Sequence, residues 1–203
     1  MSTPNLTIHQ HTGPFPTVSS RQHPALRFLE NYIKKINSAS YSDSYLSYYH
    51  PRSVFHDATG IDYVGGAVIW KWIQGLFDGE IFSKIEMENK EFFVIGGIGG
   101  QGEEIEGENG MEREWKIFGE SMAHWWVRSS GEKISVPRSM VFTLVKAEGE
   151  EMEEGEVVDA NGVLVEEVGF EGLQIGEVRV YYDRSLLMGI FRKSEQEKER
   201  FGA

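Results

Sequence analysis

The chain has 203 residues, of which 40% are hydrophobic and 12% aromatic, enough for one domain with a substantial core. Its 20 Lys and Arg against 32 Asp and Glu give a formal net charge of −12, which disfavours binding to nucleic-acid phosphates and to anionic membranes. The absence of cysteine excludes disulfides, a thiol nucleophile and cysteine-based zinc sites. With no apolar run of membrane-spanning length and no apolar signal segment near Met1, we expect a cytoplasmic protein.

The first segment, residues 1–23, combines prolines and a glycine with no hydrophobic periodicity, which predicts a flexible N-terminal arm. A helix is predicted to begin near Pro24, because proline suits the first helical turn. Apolar residues then recur at helical spacing from Leu26 to Ile36.

A short second helix is predicted within the polar, tyrosine-rich segment 38–49, where Ser42 or Asp43 can cap it. Pro51 ends this helix, since proline cannot continue the hydrogen-bond ladder. Residues 53–58 then predict a short strand.

A turn at Gly60 and a short extended piece at residues 61–64 follow. A third helix is predicted after Gly65 and Gly66, with a wide apolar face, and Gly79 suits its C-terminal cap.

The apolar pattern then changes to a period of two residues, which is typical of strands. Long strands are predicted at residues 81–95, 115–128, 134–146 and 175–183. The Gly- and Glu-rich segments 96–114 and 148–156 predict surface loops, and Asn161-Gly162 predicts a hairpin between residues 157–159 and 163–167. The alternating charges of residues 192–203 predict a C-terminal tail or a frayed helix.

Helices followed by an antiparallel meander predict an α+β fold, with the helices on one side of a curved antiparallel sheet. A strongly curved sheet closed by a helix forms a cone with an interior cavity. We expect one such domain over residues 24–191.

The stretch YHPRSVFHDATGIDYVGGAVIWKWIQGLF, residues 49–77, resembles the nuclear-transport-factor-like superfamily, which includes ketosteroid isomerase, scytalone dehydratase and the SnoaL-like polyketide cyclases. The final strand EVRVYYDRSLL, residues 177–187, is similar to the last strand of that fold. The resemblance implies a SnoaL-like α+β barrel. It does not select a chemistry, because the superfamily contains isomerases, dehydratases, cyclases, hydrolases and non-catalytic proteins.

The resemblance places Asp57, in FHDATG, where ketosteroid isomerase has its general-base aspartate. A carboxylate in an apolar pocket can move a proton beside a carbonyl or hydroxyl group. Strand alternation puts Phe55 and Asp57 on one face and His56 on the other, unless a bulge exchanges them. The alternative for Asp57 is a strand-end carboxylate that accepts backbone N–H hydrogen bonds.

The resemblance also implies a hydrogen-bond donor on the first helix, where Tyr32 is the candidate; the alternative is a core aromatic. His124 is the candidate catalytic partner on the strand 115–128, since scytalone dehydratase uses strand histidines; the alternative is a histidine satisfied by a neighbouring strand or a subunit interface. The candidate substrate-binding residues are Phe55, Tyr48, Trp72, Phe118, Glu120, Met122 and Trp126.

Other motifs predict no site. His9 and His11 have a metal-like spacing but lie in the predicted arm. DANG at residues 159–162 is a hairpin turn rather than a calcium loop, and GGIGGQG at residues 96–102 lacks the Lys-Ser/Thr ending of a phosphate loop. We therefore expect no metal and no cofactor.

Two functions remain open. The first is a cofactor-free isomerase, dehydratase or cyclase that acts on a hydrophobic, oxygenated small molecule of secondary metabolism, such as a polyketide or terpenoid. The second is a non-catalytic module of the same fold that binds a small ligand or a protein. The resemblance further implies a homodimer formed through the open face of the sheet.

Overall fold

The computed structural model of the chain describes residues 7–15, 17, 22–38, 41–77, 82–96, 113–147, 168–183 and 185. In chain order the elements are β1 (Thr7–Thr12), α1 (Pro24–Ser38), one turn of 3-10 helix (Tyr45–Ser47), β2 (Tyr49–His56), β3 (Asp62–Val64), α2 (Gly66–Phe77), β4 (Phe82–Gly96), β5 (Arg113–Val127), β6 (Lys133–Lys146) and β7 (Leu173–Tyr182). None of the helices in these ranges is long and apolar enough to cross a membrane.

The strands form one sheet in the order β1-β4-β5-β6-β7-β2-β3. Neighbouring strands are antiparallel except β2 and β7, which are parallel. The α+β class is therefore confirmed, but the sheet is mixed rather than wholly antiparallel, and with β1 and β3 at its edges it is open rather than a closed barrel. Register shifts in β2, β4, β5 and β6 mark irregularities of the kind at which a sheet bends.

The N-terminal segment differs from the expected flexible arm, because residues 7–12 form the edge strand β1 along β4. His11 is buried there, and its ring stacks on Phe15 with the centroids 4.4 Å apart. The sequence of β1 is mostly polar and lacks the alternating apolar pattern from which strands are predicted. This edge strand is held in place by its backbone hydrogen bonds to β4. Within the described ranges, no three His, Asp or Glu side chains are grouped as a metal ion would require.

The predicted second helix is reduced to a single 3-10 turn. Its N-cap is Ser44, whose hydroxyl accepts a hydrogen bond from Leu46 N, rather than Ser42 or Asp43. Tyr45 begins this turn and Tyr48 follows it, and both side chains are buried in the core.

The two helices pack against one face of the sheet. The apolar side of α1 joins α2 and the inner residues of the strands in one hydrophobic core. Asn37 ties the end of α1 to β4, because its amide donates to Met87 O at 3.3 Å and accepts from Met87 N at 2.8 Å. Gln74 ties α2 to the preceding segment by donating to Tyr41 O at 2.8 Å.

Of the loop expected at residues 96–114, Gly96 ends β4 and residues 113–114 begin β5. Residues 97–112, the loop expected at 148–156, the hairpin expected between 157–159 and 163–167 and the tail at 192–203 lie outside the described residues. The predicted helices near residues 24 and 66 and the four long strands are confirmed, with their ends shifted by about two residues at most.

Candidate functional site

A cavity of about 320 Å³ lies between the helices and the inner face of the sheet. Both helices and strands β2 to β7 contribute to its wall, and most of the lining side chains are apolar. A cavity of this size and character is typical of a small-molecule site. Its charged side chains are Asp57 and Arg138, and its hydroxyl groups belong to Tyr32, Thr59, Tyr63 and Tyr182.

Asp57 reaches this cavity from the tight loop that follows β2. The loop is closed by hydrogen bonds from Asp57 N to Ile61 O at 3.0 Å and from Gly60 N to Asp57 O at 2.9 Å. Gly60 has φ +81°, a left-handed conformation that glycine adopts without strain. Among the described residues, the Asp57 carboxylate accepts one backbone hydrogen bond, from Thr59 N at 3.3 Å, and it lines the cavity.

Strand alternation accounts for the neighbours of Asp57. Phe55 lines the cavity with Asp57, whereas His56 points away from it. His56 Nδ1 lies 2.8 Å from Asp62 Oδ1, and His56 Nε2 lies 3.2 Å from Glu177 Oε1. The register against β7 is regular from Val54 onward, so no bulge reverses these faces.

Tyr32 lines the cavity from α1, and its hydroxyl oxygen lies 2.6 Å from that of Tyr49. Burial raises the pKa of Tyr32 to about 12, against the opposing effects of the Tyr49 hydrogen bond and the Arg138 charge. Burial also holds the pKa of Tyr49 well above its usual value. Both hydroxyls are therefore neutral near pH 7 and can donate hydrogen bonds.

An aromatic wall stands beside Asp57. The ring of Trp72, on α2, lies 4.8 Å from that of Phe55 and stacks on that of Tyr63 at 4.4 Å. Burial raises the pKa of Tyr63, and the charge of Asp57 adds to this effect. Tyr63 and Trp72 therefore form a flat apolar surface next to the carboxylate.

Arg138, on β6, is the charged residue that the sequence reasoning missed. Its guanidinium carbon lies 5.2 Å from the ring centroid of Tyr182 and 5.8 Å from that of Trp125. Its Nε atom is buried without a hydrogen-bond partner. Burial lowers the pKa of Arg138, and Tyr182, Asp57 and Tyr32 oppose that shift.

A sequence signal for Arg138 does exist. The residues two positions before and after it, Val136 and Met140, are both buried on the inner face of β6. An arginine in phase with apolar residues on a strand is rarely buried without a ligand or an ion pair, so this break in the pattern marks a candidate site.

The proposed second catalytic group, His124, is not in the cavity. His124 lies on the outer face of β5, where Nδ1 is 2.8 Å from Ser135 Oγ and Nε2 is 3.1 Å from Glu88 Oε2. The placement of His124 beside Asp57 was therefore wrong. The alternative reading of His124, a histidine satisfied by neighbouring strands, describes its contacts.

The other candidates on this strand share the outer face. Phe118, Glu120, Met122 and Trp126 alternate with buried Ile117, Ala123 and Trp125, and none of the four lines the cavity. The predicted grouping of these residues on one face is right, but that face is turned outward. Both faces of β5 carry large apolar residues, so the pattern alone does not distinguish them.

Trp125, rather than Trp126, lines the cavity, and its Nε1 atom is buried without a hydrogen-bond partner. Trp126 lies on the outer face between Lys84 and Lys133, whose Nζ atoms are 4.6 and 5.2 Å from its ring centroid. Tyr48 is also outside the cavity. Its ring stacks on Trp70 in the core, with the centroids 5.4 Å apart. Of the residues proposed from the sequence, the structure therefore brings together Asp57, Tyr32, Phe55 and Trp72.

Solved structures share this fold at low sequence identity. An uncharacterized protein with a cystatin-like fold from Caulobacter vibrioides is 9% identical, with a TM-score of 0.50 over 83% of this chain and 96% of that chain. A nuclear transport factor 2-like superfamily protein from Salmonella enterica serovar Typhimurium is 14% identical, with a TM-score of 0.48 over 81% of this chain and 89% of that chain. A SnoaL-like polyketide cyclase from Jannaschia sp. CCS1 is 12% identical, with a TM-score of 0.45 over 81% and 90%.

Several other similar structures are described as SnoaL-like or ketosteroid isomerase-like. The likeness to the Caulobacter vibrioides protein, at a TM-score of 0.50, is a likeness of fold, and it agrees with the α+β architecture of helices packed on one face of a curved sheet. No protein-family model and no curated protein matches the chain. At these identities the likeness describes the fold and leaves the chemistry to the residues of the cavity.

Proposed function

We propose that this protein is a cofactor-free enzyme that isomerises, dehydrates or cyclises a hydrophobic, oxygenated small molecule by acid/base chemistry in the cavity. The observation that carries the proposal is the Asp57 carboxylate, which stands on the wall of an apolar cavity and accepts, from the described residues, one hydrogen bond of 3.3 Å. A carboxylate that accepts so few hydrogen bonds from the protein can accept a proton from a bound substrate. Proton transfer of this kind needs no cofactor.

Asp57 and Tyr32 have distinct roles in this proposal. Asp57 removes a proton from the substrate and returns it at a second position or to a departing hydroxyl. In this proposal Tyr49 acts as the donor in the hydrogen bond between the two hydroxyls, so that the Tyr32 hydrogen is free for a substrate oxygen. Trp72 and Tyr63 provide the flat surface on which an apolar ring packs.

The second candidate function is a non-catalytic binding module. It needs the cavity, but it does not need a carboxylate that is free to accept a proton. An Asp57 side chain saturated by backbone donors would favour that function. The single bond from Thr59 N at 3.3 Å favours the enzyme instead.

Deuterium exchange in heavy water, followed by mass spectrometry, tests this proposal on a panel of apolar ketones and β-hydroxy ketones. We expect the native protein to catalyse exchange or loss of water with at least one compound. Asp57→Asn should slow that reaction by roughly 10²–10⁴-fold, the usual contribution of a general base.

Asp62→Asn is the matched control, because Asp62 is an exposed aspartate that contacts His56 outside the cavity. It should retain native turnover, and circular dichroism should show that both variants are folded. An Asp57→Asn variant with the native rate would reject Asp57 as the base. A native protein that binds but never converts these compounds would support the binding module.

A further inference from the structure

The cationic side chain of Arg138 forms no ion pair within the part of the chain that the structure describes. Its Nε atom is buried without a hydrogen-bond acceptor. An arginine stays charged in proteins, so it cannot escape the cost of desolvation by losing its proton. No carboxylate of the described residues satisfies it, which leaves this role open to a ligand.

The aromatic rings beside Arg138 satisfy it only in part. The guanidinium lies 5.2 Å from the Tyr182 centroid and 5.8 Å from the Trp125 centroid, which is within the range of cation–π attraction. Ring faces stabilise the positive charge but give the fork of N–H donors no directed lone pairs in the plane of the guanidinium. Tyr182 and Trp125 therefore hold Arg138 in place and leave its hydrogen-bonding capacity unused.

A second donor on the same wall also lacks an acceptor. Trp125 Nε1 is buried with no hydrogen-bond partner, and the Trp125 ring is one of the two rings that Arg138 approaches. Indole nitrogen is a donor only, so this atom and the guanidinium require the same kind of partner, an acceptor oxygen. Two adjacent lining residues thus offer donors without a hydrogen-bond partner.

The Asp57 carboxylate does not fill this role. Its charge is close enough to oppose the fall in the pKa of Arg138, yet the two side chains form no ion pair. The cavity therefore holds a positive and a negative group that face the same apolar space without neutralising each other by contact. This leaves the guanidinium available to a ligand.

We propose that Arg138 and Trp125 recognise an anionic oxygen group of the ligand, and that the ligand is an apolar molecule carrying a carboxylate. The planar guanidinium matches the two oxygens of a carboxylate, and the surrounding apolar wall accepts the rest of the molecule. This inference rests on the function proposed above only in using the same cavity, because it concerns binding rather than proton transfer.

A matched pair of probes tests the inference. Naphthylacetate and naphthylacetamide have nearly the same shape and differ in charge at one group. Isothermal titration calorimetry with the native protein should show the acid binding at least about tenfold more tightly than the amide. Equal affinity for the two probes, or no binding of the acid at millimolar concentration, would overturn the proposal.

Variants assign the effect to Arg138. Arg138→Met replaces the guanidinium with an unbranched apolar side chain and so removes the charge. It should weaken binding of the acid by about tenfold or more and leave the affinity for the amide unchanged. Arg179→Met is the control, because Arg179 is an exposed arginine on β7 outside the cavity wall and its loss changes the net charge equally. Unchanged acid affinity in Arg138→Met would also overturn the proposal. If this variant does not fold, two other measurements decide the question. Trp125→Phe removes the indole donor and should weaken binding of the acid, and the native protein should bind the acid more tightly than the amide.

Asp57→Asn separates this inference from the proposed function. The variant should lose turnover but bind the acid as tightly as the native protein or more tightly, since it removes a negative charge from the cavity. Loss of turnover with retained discrimination between the probes supports both proposals. Native turnover in Asp57→Asn rejects the proposed base while the affinity for the acid still tests Arg138.

Discussion

The hydroxyl oxygens of Tyr32 and Tyr49 lie 2.6 Å apart in the interior and join α1 to the first residue of β2. Both side chains are buried, so each hydroxyl depends on the other for a hydrogen bond. This pair fixes the helix over the sheet at the wall of the cavity, and it links the geometry of the site to the stability of the fold.

Stability should fall in alkaline solution because of these tyrosines. Burial raises the pKa of Tyr32 to about 12, above the value of about 10 in an unfolded chain. Between pH 10 and 12 the unfolded state loses tyrosine protons that the folded state keeps, so the free energy of unfolding decreases as the pH rises. Urea denaturation at a series of pH values measures this slope. Tyr32→Phe should flatten it, whereas Tyr181→Phe, at an exposed position, should not.

A second pH effect is expected on the acid side. Burial lowers the pKa of His23 to about 4, with smaller contributions from His9 and Arg27. The unfolded state takes up a proton near pH 6.5 and the folded state only near pH 4, so His23 destabilises the fold as the pH falls through that window. His23→Phe should reduce this loss of stability, because a phenyl ring takes up no proton. The phenyl ring can also keep the contact with Trp115. An identical pH profile in the variant would refute this role of His23.

Gly119 should not tolerate a side chain. A Cβ atom there would lie 2.1 Å from the ring of Phe92, which packs over this glycine from the paired position on β4. Gly119→Ala should therefore lower the free energy of unfolding by about 1–3 kcal/mol, as overpacking does. Gly75→Ala, in α2 with nothing within 4 Å of the new methyl group, should instead raise stability by about 0.5–1 kcal/mol. Chemical denaturation of the two variants measures both effects, and a neutral Gly119→Ala would contradict the packing argument.

The outer face of the sheet is expected to form a homodimer, as the family resemblance implies. It exposes Phe93 and Phe118, with 37% and 38% of their surfaces accessible, and Trp126 lies on the same face of β5. Phe118→Glu should shift the protein to the monomer, because it places a charge within the apolar face. Analytical ultracentrifugation at micromolar concentration gives the mass. A native protein that sediments as a monomer would reject this expectation.

Much of the architecture can be predicted from local patterns. The helical spacing of α1, the glycines before α2 and the alternation of the long strands locate most elements within a few residues of their true ends. Alternation also gives the relation of Phe55 to Asp57 on β2, because a regular strand has a period of two residues. The edge strand β1 is missed because its polar sequence lacks that signal.

The sequence by itself determined which residues share a face of each strand, and only the tertiary structure decided which face encloses the cavity. On β5 the alternation groups His124 with Trp126 and separates both from Trp125, but the face that is buried depends on what packs against it. There, Phe92 lies over Gly119 and fills space that a larger inner residue would have taken. Packing of β6 between β5 and β7 places Arg138 near Tyr182 and Trp125, so the contacts of this charge in the cavity are decided only when the strands are assembled.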